Sequence, residues 1–449
     1  MDARRAAARA IVDRLRGAGF QALWAGGCVR DLVMGRDPKD FDVATDATPP
    51  QVVELFPKGL MIGAQFGVIA VPGDGFITEV ATFRSDGVYA DGRHPVQVRY
   101  ARTPQEDVQR RDFTINGLLY DPVTNRVLDF VGGQADIRAR RLRTIGAPRA
   151  RFAEDRLRML RAVRFAARFK FVIERGTFEA IQGLAPAIRE VSAERVRDEI
   201  LKILTEGGAR RGFELLDETL LLAEALPEVK RLQGVAQPPE FHPEGDVWIH
   251  TLMMLEDLGT GPVAVTSTLA LGVLLHDIGK PATFAVRERI RFDGHVEVGA
   301  KIAQEVCRRL RISSHETQRV LDLIAQHMRF KDFLNMRRST QLKFLALAGF
   351  EEHLELHRLD CLASHGDLTL YEAARKMREE TPAEVIRPQP LVTGHDLIAV
   401  GYKPGPAFKP MLDAVRDAQL EGRVSSPAEG LALVRESFGS PSAPAGSKS

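Results

Sequence analysis

The sequence predicts an α+β protein: a small mixed α/β head followed by a longer, mostly helical body. Three observations predict it. Up to about Asp136, short apolar runs bounded by Gly, Pro and Asp alternate with helical segments. Beyond Asp136 the apolar period becomes helical and stays so for most of the chain. With 449 residues the chain exceeds what one core usually holds, so roughly two to four domains are expected.

Composition narrows the class. Hydrophobic residues make up 44% and charged residues 27%, as in a soluble globular protein. No run of about eighteen apolar residues exists that would span a membrane. The segment Met1–Arg9 lacks the apolar core of a secretory signal, and its pattern runs on into Ile11–Leu15 as an ordinary first helix. Cys28, Cys307 and Cys361 are odd in number and far apart, which fits a reducing, cytoplasmic location.

The elements follow in order. Residues 3–18 read as a helix ended by Gly19, and Gln21–Ala25 as a short strand into the turn Gly26-Gly27. Cys28–Met34 is a helix and Asp40–Ala44 a strand. Thr48 caps the next helix with Pro49 at its first position. Gly67–Val71 and Phe76–Phe83 pair around a Pro-Gly-Asp-Gly turn. Arg84–Pro95, rich in Gly, Asp and charge, is a loop, and Val96–Tyr100 a strand. Thr103 and Glu106 make a capping box, and Val127–Phe130 is the last strand of a head assigned to residues 1–137. A neck and body, 138–237, carries helices at Glu154–Lys170, Ser192–Leu204 and Arg210–Ala225. Pro238–Pro243 reads as a linker into a second helical domain, 238–380. A helical tail, 381–438, and a disordered end, 439–449, complete the chain.

Chemistry concentrates first at Gly26–Asp42. Asp40 and Asp42, two apart on a predicted strand, point to one face, and Glu79 stands on a neighbouring strand. Like charges side by side call for a cation between them, and Mg²⁺ takes carboxylate and phosphate oxygens. Three such carboxylates could hold two metal ions, while Arg30 offers a permanently charged fork to a phosphate chain. A metal beside a phosphate cradle suggests phosphoryl or nucleotidyl transfer.

Net charge is only +2, yet the span from Arg138 to Lys170 holds twelve basic residues and two acids, Glu154 and Asp155, the local footprint of a polyanion partner. On a helical wheel Arg158, Arg161, Arg164 and Arg168 fall within an arc of about 120°. Met159, Ala162, Val163, Ala166 and Phe169 lie mostly opposite and should pack, while Leu157 and Phe165 do not respect the division.

Gly26-Gly27-x-x-Arg30-Asp31, Asp40-x-Asp42, Arg110-Arg-Asp-Phe-Thr-Ile-Asn116 and Glu154-Asp-x-x-Arg158 appear in the order seen in class II tRNA nucleotidyltransferases. Over residues 20–205 the chain resembles these CCA-adding enzymes and the bacterial poly(A) polymerases of the DNA polymerase β-like superfamily. The resemblance implies a polymerase β-like head and Mg²⁺-dependent, template-free addition of CMP and AMP from CTP and ATP to a tRNA 3′ end. By position it implies that Gly26, Gly27 and Arg30 meet the triphosphate and that Asp40 and Asp42, with Glu79 as third carboxylate, hold Mg²⁺. It places Arg111 on the nucleotide with Asp112 and Asn116 building the site around it. Asp155 and Arg158 would read the base edge, with Arg161 and Arg164 beside them. Asp112 and Asn116 have an equally good reading as turn residues that satisfy backbone N–H groups. The segment Arg84–Pro95 resembles the flexible loop with which full CCA-adding enzymes switch from CTP to ATP.

In the second helical domain, Leu274-Leu-His-Asp-Ile-Gly-Lys-Pro281 resembles the HD phosphohydrolase signature, with His250 before it and Asp360 after. His250, His276, Asp277 and Asp360 would then bind a divalent transition metal, and His295 and His327 sit where two-metal members supply further ligands. His242, His315, His353, His357, His365 and His395 are read as structural. Three other readings stand beside CCA addition: a poly(A) polymerase or an enzyme adding only A or only CC; an HD-type hydrolase with an inactive head; and a passive RNA-binding protein.

Overall fold

The computed structural model describes residues 3–63, 67–73, 75–86 and 98–440. Its chain divides into two compact units, residues 1–233 with 304–313, and residues 234–303 with 314–449.

The first unit begins with helix α1 (Ala3–Gly17), whose Ala8, Ile11, Val12 and Leu15 are buried. Strand β1 (Ala22–Ala25) leads into α2 (Gly27–Val33), and β2 (Asp42–Thr45) into α3 (Pro49–Leu55), where Thr48 and Gln51 close a capping box. Then come β3 (Leu60–Gly63), β4 (Val68–Pro72), β5 (Ile77–Thr82), β6 (Arg84–Asp86), β7 (Val98–Tyr100) and α4 (Pro104–Gln109). Strands β8 (Leu118–Asp121) and β9 (Arg126–Asp129) complete a seven-stranded sheet in the order β3-β4-β5-β2-β1-β8-β9. Trp24 anchors one face of this sheet, edge-on to Phe41 at 4.8 Å and stacked on Tyr120 at 5.3 Å.

Register places the chemistry. β2 runs parallel to β5 with Val43 opposite Val80, so one step earlier Asp42 comes level with Glu79. The strand expected over Asp40–Ala44 starts only at Asp42. Ala25 is the residue of β1 opposite Asp42, and the chain turns away at Gly26, so Asp40 has no strand to pair with. It is exposed just upstream of the sheet. Of the predicted loop Arg84–Pro95, the first three residues are β6, paired with β7, and residues 87–95 lie outside the described residues, as do 441–449 of the tail.

The neck holds α5 (Gly133–Arg138), α6 (Pro148–Glu154), α7 (Arg158–Phe169), α8 (Arg175–Leu184), α9 (Ala193–Thr205) and α10 (Ala209–Glu218). The single helix expected over Glu154–Lys170 is two. Asp155 adopts an extended backbone (φ −148°, ψ 106°), and its side chain accepts a hydrogen bond from Leu157 N–H at 3.1 Å, which breaks α6 from α7. The expected apolar face of α7 is buried as predicted, but Arg158 and Arg164 of its polar arc are buried too. The helix expected over Arg210–Ala225 is likewise interrupted, at Leu220 with φ +66°.

The second unit is built on helices Val247–Asp257, Ser267–Leu275, Ser314–Gln326 and Phe350–Ala363. Phe330, Phe333, Phe344 and Phe350 fill one of its cores. Helices Gly394–Ala399, Phe408–Leu420 and Pro427–Phe438 close around Leu397, Val415, Ala418 and Val434. The segment read as a linker, Pro238–Pro243, is folded. Phe241 and His242 both donate their N–H to the carbonyl of Pro238, and Ala236 bridges Asp246 across the turn. Proline supplies no N–H, but its carbonyl still accepts, which is how this stretch is held.

Candidate functional site

In the first unit the glycine turn forms one wall of a cleft of about 550 Å³. Gly26 has φ +75°, a conformation glycine adopts freely, and a side chain there would bring its Cβ within 3.0 Å of Arg111 Nη1. Arg30, one turn into α2, is 5% exposed. Its Nη1 donates to Asn116 Oδ1 at 2.7 Å, its Nε to Asp31 at 2.9 Å, and its guanidinium stacks on the Phe169 ring at 4.5 Å. Burial pulls its pKa down, against the pull of Asp31.

Asp42 faces the same cleft from the first position of the central strand β2. Burial, then Glu79 and Asp40, push it up to about 6, with Arg111 opposing. A carboxylate under that pressure gains most from a cation, so the donor set fits a divalent metal. Glu79 lines the cleft with it, whereas Asp40 acts from outside. Among the described residues these three carboxylates do not bring their oxygens within 4.8 Å of one another as a trio.

The Arg110–Asn116 segment supplies the hub. Arg111 holds buried Asp107 through Nε and Nη2, at 3.2 and 2.8 Å. Asp112 accepts from Phe113 N–H (2.8 Å), Asn116 Nδ2 (3.0 Å) and both Nε and Nη2 of Arg161 (2.9 and 2.6 Å). Burial raises its pKa, but Arg161 and Asn116 outweigh that and leave it lowered to about 2. Asp112 and Asn116 are therefore both turn residues and lining residues of the cleft.

From α7, Arg158 is held by Glu154 (2.7 Å) and by the carbonyls of Arg151 and Arg110, while Asp155 pairs with Arg195 at 2.8 Å. Arg164 bonds Glu199 at 2.6 Å and lies over the Phe165 ring at 4.2 Å. Phe165, which broke the expected helix division, is the platform on which Arg30, Arg161 and Arg164 rest. Every residue the sequence assigned to this site lines the one cleft except Asp40. Arg110, Phe165 and Arg168 line it as well; the helical arc already pointed to Arg168 and the motif begun by Arg110 contains the first, while only the fold points to Phe165.

The basic stripe is largely neutralised. Arg141 and Arg143 share Asp136, Arg156 pairs with Glu190, and Arg168 with Glu206. The acids come from outside the stripe, so local charge counting could not show them. Arg138, Arg140, Arg149 and Lys170 remain exposed.

The second unit brings together all six residues named for its metal centre. His250 Nε2 is 3.1 Å from Asp360, and Asp277 lies between His276 (3.1 Å), His295 (3.8 Å) and His327 (3.9 Å). His276, His295 and His327 each turn Nδ1 to a backbone carbonyl three residues back, at 3.0, 2.9 and 2.7 Å. Their buried Nε2 atoms have no hydrogen-bond partner. Burial, with His276 nearby, pushes His327 down to about 4, so it is a neutral donor near pH 7. Orphaned, inward-facing Nε2 atoms oriented by their own carbonyls fit a divalent transition metal. Two further residues stand beside them: Glu244, which the sequence reading does not name, and His242, which it reads as structural. They form a group with His250 whose ligand atoms all lie within 4.8 Å. The spacing His242-x-Glu244 ahead of His250 was the available signal. His357 stacks on Phe330 at 4.4 Å. Among the described residues no helix is long and apolar enough to cross a membrane.

The first unit thus has the fold and cleft of a polymerase-type nucleotidyltransferase head, and the second the ligand set of an HD domain. Residues 22–143 match the poly A polymerase head domain, 170–232 the probable RNA- and SrmB-binding site of polymerase A, and 246–349 the HD domain. Over these segments the chain is similar to the poly(A) polymerase-type head and its RNA-binding region, followed by an HD domain. It is 42% identical to the CCA-adding enzyme of Geobacillus thermodenitrificans over 209 residues, 46% of this chain and 52% of that one. With the CCA-adding enzyme of Bacillus pumilus it shares 39% over 255 residues, 55% of this chain and 63% of the other. The chain therefore spans about half to three-fifths of the length of these curated relatives. The crystal structure of the Bacillus stearothermophilus CCA-adding enzyme in complex with CTP superposes with a TM-score of 0.73 at 28% identity, covering 97% of this chain and 98% of that one. The Thermotoga maritima CCA-adding enzyme complexed with tRNA shares the fold, with a TM-score of 0.59 at 20% identity over 98% and 96% of the two chains.

Proposed function

We propose that the chain is a template-independent CCA-adding nucleotidyltransferase that transfers CMP and AMP from CTP and ATP to the 3′ end of tRNA and releases pyrophosphate. The observation that carries this reading is the convergence, in one cleft, of Asp42 and Glu79 with the arginines of α2, the Arg110–Asn116 segment and α7. The likeness to a CTP-bound CCA-adding enzyme over nearly the whole chain supports it.

In this reading Asp42 and Glu79, with Asp40 at the rim, hold Mg²⁺. The metal, when bound, supplies charge stabilisation of the reacting phosphate and a more acidic attacking hydroxyl. Arg30 and Arg111 are fixed by Asn116, Asp31 and Asp107 and turn their positive faces to the triphosphate. Asp155, held by Arg195, offers an acceptor to the base edge, and Arg158 and Arg161 offer donors. Since internal carboxylates orient these guanidinium groups before substrate arrives, little ordering is left for the moment of binding. Exposed Arg138, Arg140, Arg149 and Lys170 would meet tRNA phosphates. A tRNA substrate places the protein in the cytoplasm.

The test is direct. Purified protein is incubated with tRNA lacking its 3′ end, CTP, ATP and Mg²⁺, and the products are sequenced. Addition of CCA is expected. No extension would refute the reading, and CC alone, A alone or long A runs would assign the chain to one of its relatives' activities.

A second reading concerns the HD centre, on the strength of the orphaned imidazole nitrogens. It binds a divalent transition metal and hydrolyses phosphomonoesters or cyclic phosphodiesters at RNA ends. Metal analysis of the purified protein, with phosphatase assays before and after chelation, tests it; a metal-free centre that cannot be loaded would refute it.

A further inference from the structure

Three of the four histidines at the HD centre are oriented by backbone carbonyls, which no side-chain substitution can remove. His250 differs. It is fully buried, with Nδ1 2.7 Å from Glu244 Oε1 and Nε2 3.1 Å from Asp360. Both are close N···O contacts, bent away from the linear alignment of the strongest hydrogen bonds. The same Glu244 oxygen accepts from His242 Nδ1 at 2.8 Å. Glu244 is itself almost wholly buried, with 4% of its side chain exposed. A carboxylate removed from water costs stability unless cations or donors surround it, and two imidazoles do so here.

Glu244 is not alone. Gln237, 2% exposed, accepts from Lys280 Nζ at 2.6 Å, and Lys280 in turn holds Asp277 Oδ2 at 2.6 Å. Gln237 Nε2 donates to Glu244 at 3.4 Å, which joins the two halves. The result is a continuous buried chain, Asp277–Lys280–Gln237–Glu244–His250, reaching the metal residues from both ends. The segment carrying it is closed by backbone bonds, Gln237 N–H to Gly245 O at 3.0 Å and Val247 N–H to Val235 O at 3.1 Å. A mere connection between domains would need none of this.

We propose that Gln237–Asp246 is a strap forming the outer wall of the HD metal centre, in which Glu244 positions His250 and Gln237 positions Lys280. The proposal rests on the reading that this centre binds a divalent metal. By fixing the Nδ1 side of His250, Glu244 aims Nε2 at the space shared with His276 and Asp360 and strengthens it as a donor. Glu244 touches no substrate; it is a positioning residue.

The experiment uses the full chain, stripped by a chelator and titrated with Co²⁺, whose visible absorption reports the ligand geometry. Glu244→Ala should weaken Co²⁺ binding about 10- to 100-fold, the usual cost of losing an outer-shell partner. Glu244→Gln, whose amide oxygen can still accept from Nδ1, should recover most of the affinity. In metal-free protein labelled with ¹⁵N-histidine, the downfield Nδ1–H signal of His250 should be present in wild type and Glu244→Gln and lost in Glu244→Ala. That second measurement does not depend on metal. Unchanged Co²⁺ affinity in Glu244→Ala, or equal losses in both variants, would overturn the positioning role. Wild type that takes up no Co²⁺ would overturn the metal reading and the proposal with it, and an unchanged histidine signal in Glu244→Ala would refute the contact itself.

Discussion

Asp112→Asn is the most informative single change in the cleft of the first unit. Asp112 is 8% exposed and joins Arg161 of α7 to Asn116, which in turn holds Arg30 of α2. Its pKa is lowered from 3.8 to about 2, so the native surroundings favour the carboxylate by about 2 kcal/mol. A depressed carboxylate contributes stability that is fully present above its unfolded value and is lost as pH falls through the folded one. The contribution is therefore complete above about pH 5 and about half gone at pH 3. The amide keeps the shape but loses the charge, leaving Arg161 with Glu199, 4.0 Å away, as its remaining ion pair. The expected loss at pH 7 is about 2–3 kcal/mol, or a melting temperature lower by roughly 4–10 °C for a unit of this size. The difference between variant and wild type should shrink steadily from pH 5 to pH 3. Displacing two arginines at once should also lower kcat/KM for nucleotide addition about 100-fold. Urea unfolding across this pH range and steady-state incorporation assays provide the readout. A stability difference independent of pH, or unchanged kinetics, would refute the hub.

The remaining expectations concern other parts of the same cleft. Asp42→Asn should abolish nucleotide incorporation, a fall of at least about 1,000-fold, while CTP binding persists. In metal-free protein at pH 7.5 it should melt no lower than wild type, because burial, Glu79 and Asp40 push the native carboxyl up to about 6; a clear loss of stability would mark Asp42 as structural. Gly26→Ala forces a non-glycine residue to φ +75° with its Cβ 3.0 Å from Arg111 Nη1, and should cost about 1–3 kcal/mol by thermal unfolding and raise KM for both nucleotides. Glu199→Gln removes the 2.6 Å partner of buried Arg164 and should cost about 3–5 kcal/mol, read by chemical denaturation; a loss below about 1 kcal/mol would show that Glu206 suffices.

Much of this was legible in the sequence because it depends on local pattern. The strand Ala22–Ala25, the glycine turn, the caps at Thr48 and Thr103 and the apolar face of α7 follow from periodicity and capping chemistry within a few residues. Most of the failures turn on a partner distant in sequence, while the break between α6 and α7 is the local work of Asp155 on Leu157 N–H. Asp40 leaves the strand because β1 ends opposite Asp42. The burial of Arg158 and Arg164 could not be read from the arc they share, and it follows from Glu154 and Glu199, which meet them. The linker at Pro238–Pro243 folds because Ala236 bridges Asp246, and Glu244 reaches His250 only once that turn has closed. The HD family match ends at residue 349, yet Asp360, which the sequence already names, stands on the following helix with its carboxylate 3.1 Å from His250.

The way the cleft solves its charge problem bears on how it can choose a nucleotide. The arginines of α7 do not stand as loose cations awaiting phosphate; each is tied to a carboxylate of the protein. A guanidinium paired on one edge keeps its other donors in a fixed direction, so the cleft presents an oriented set of N–H groups rather than a diffuse positive field. Arg161, beside the proposed base edge, and Arg30, beside the proposed triphosphate, are joined through Asp112 and Asn116 in a run of bonds between 2.6 and 3.0 Å. Bonds that short in a buried setting leave little independent play. In the proposed function one rigid assembly would therefore read both the base and the phosphates, and a nucleotide whose base edge fits poorly would strain the same network when its α-phosphate is set over Asp42.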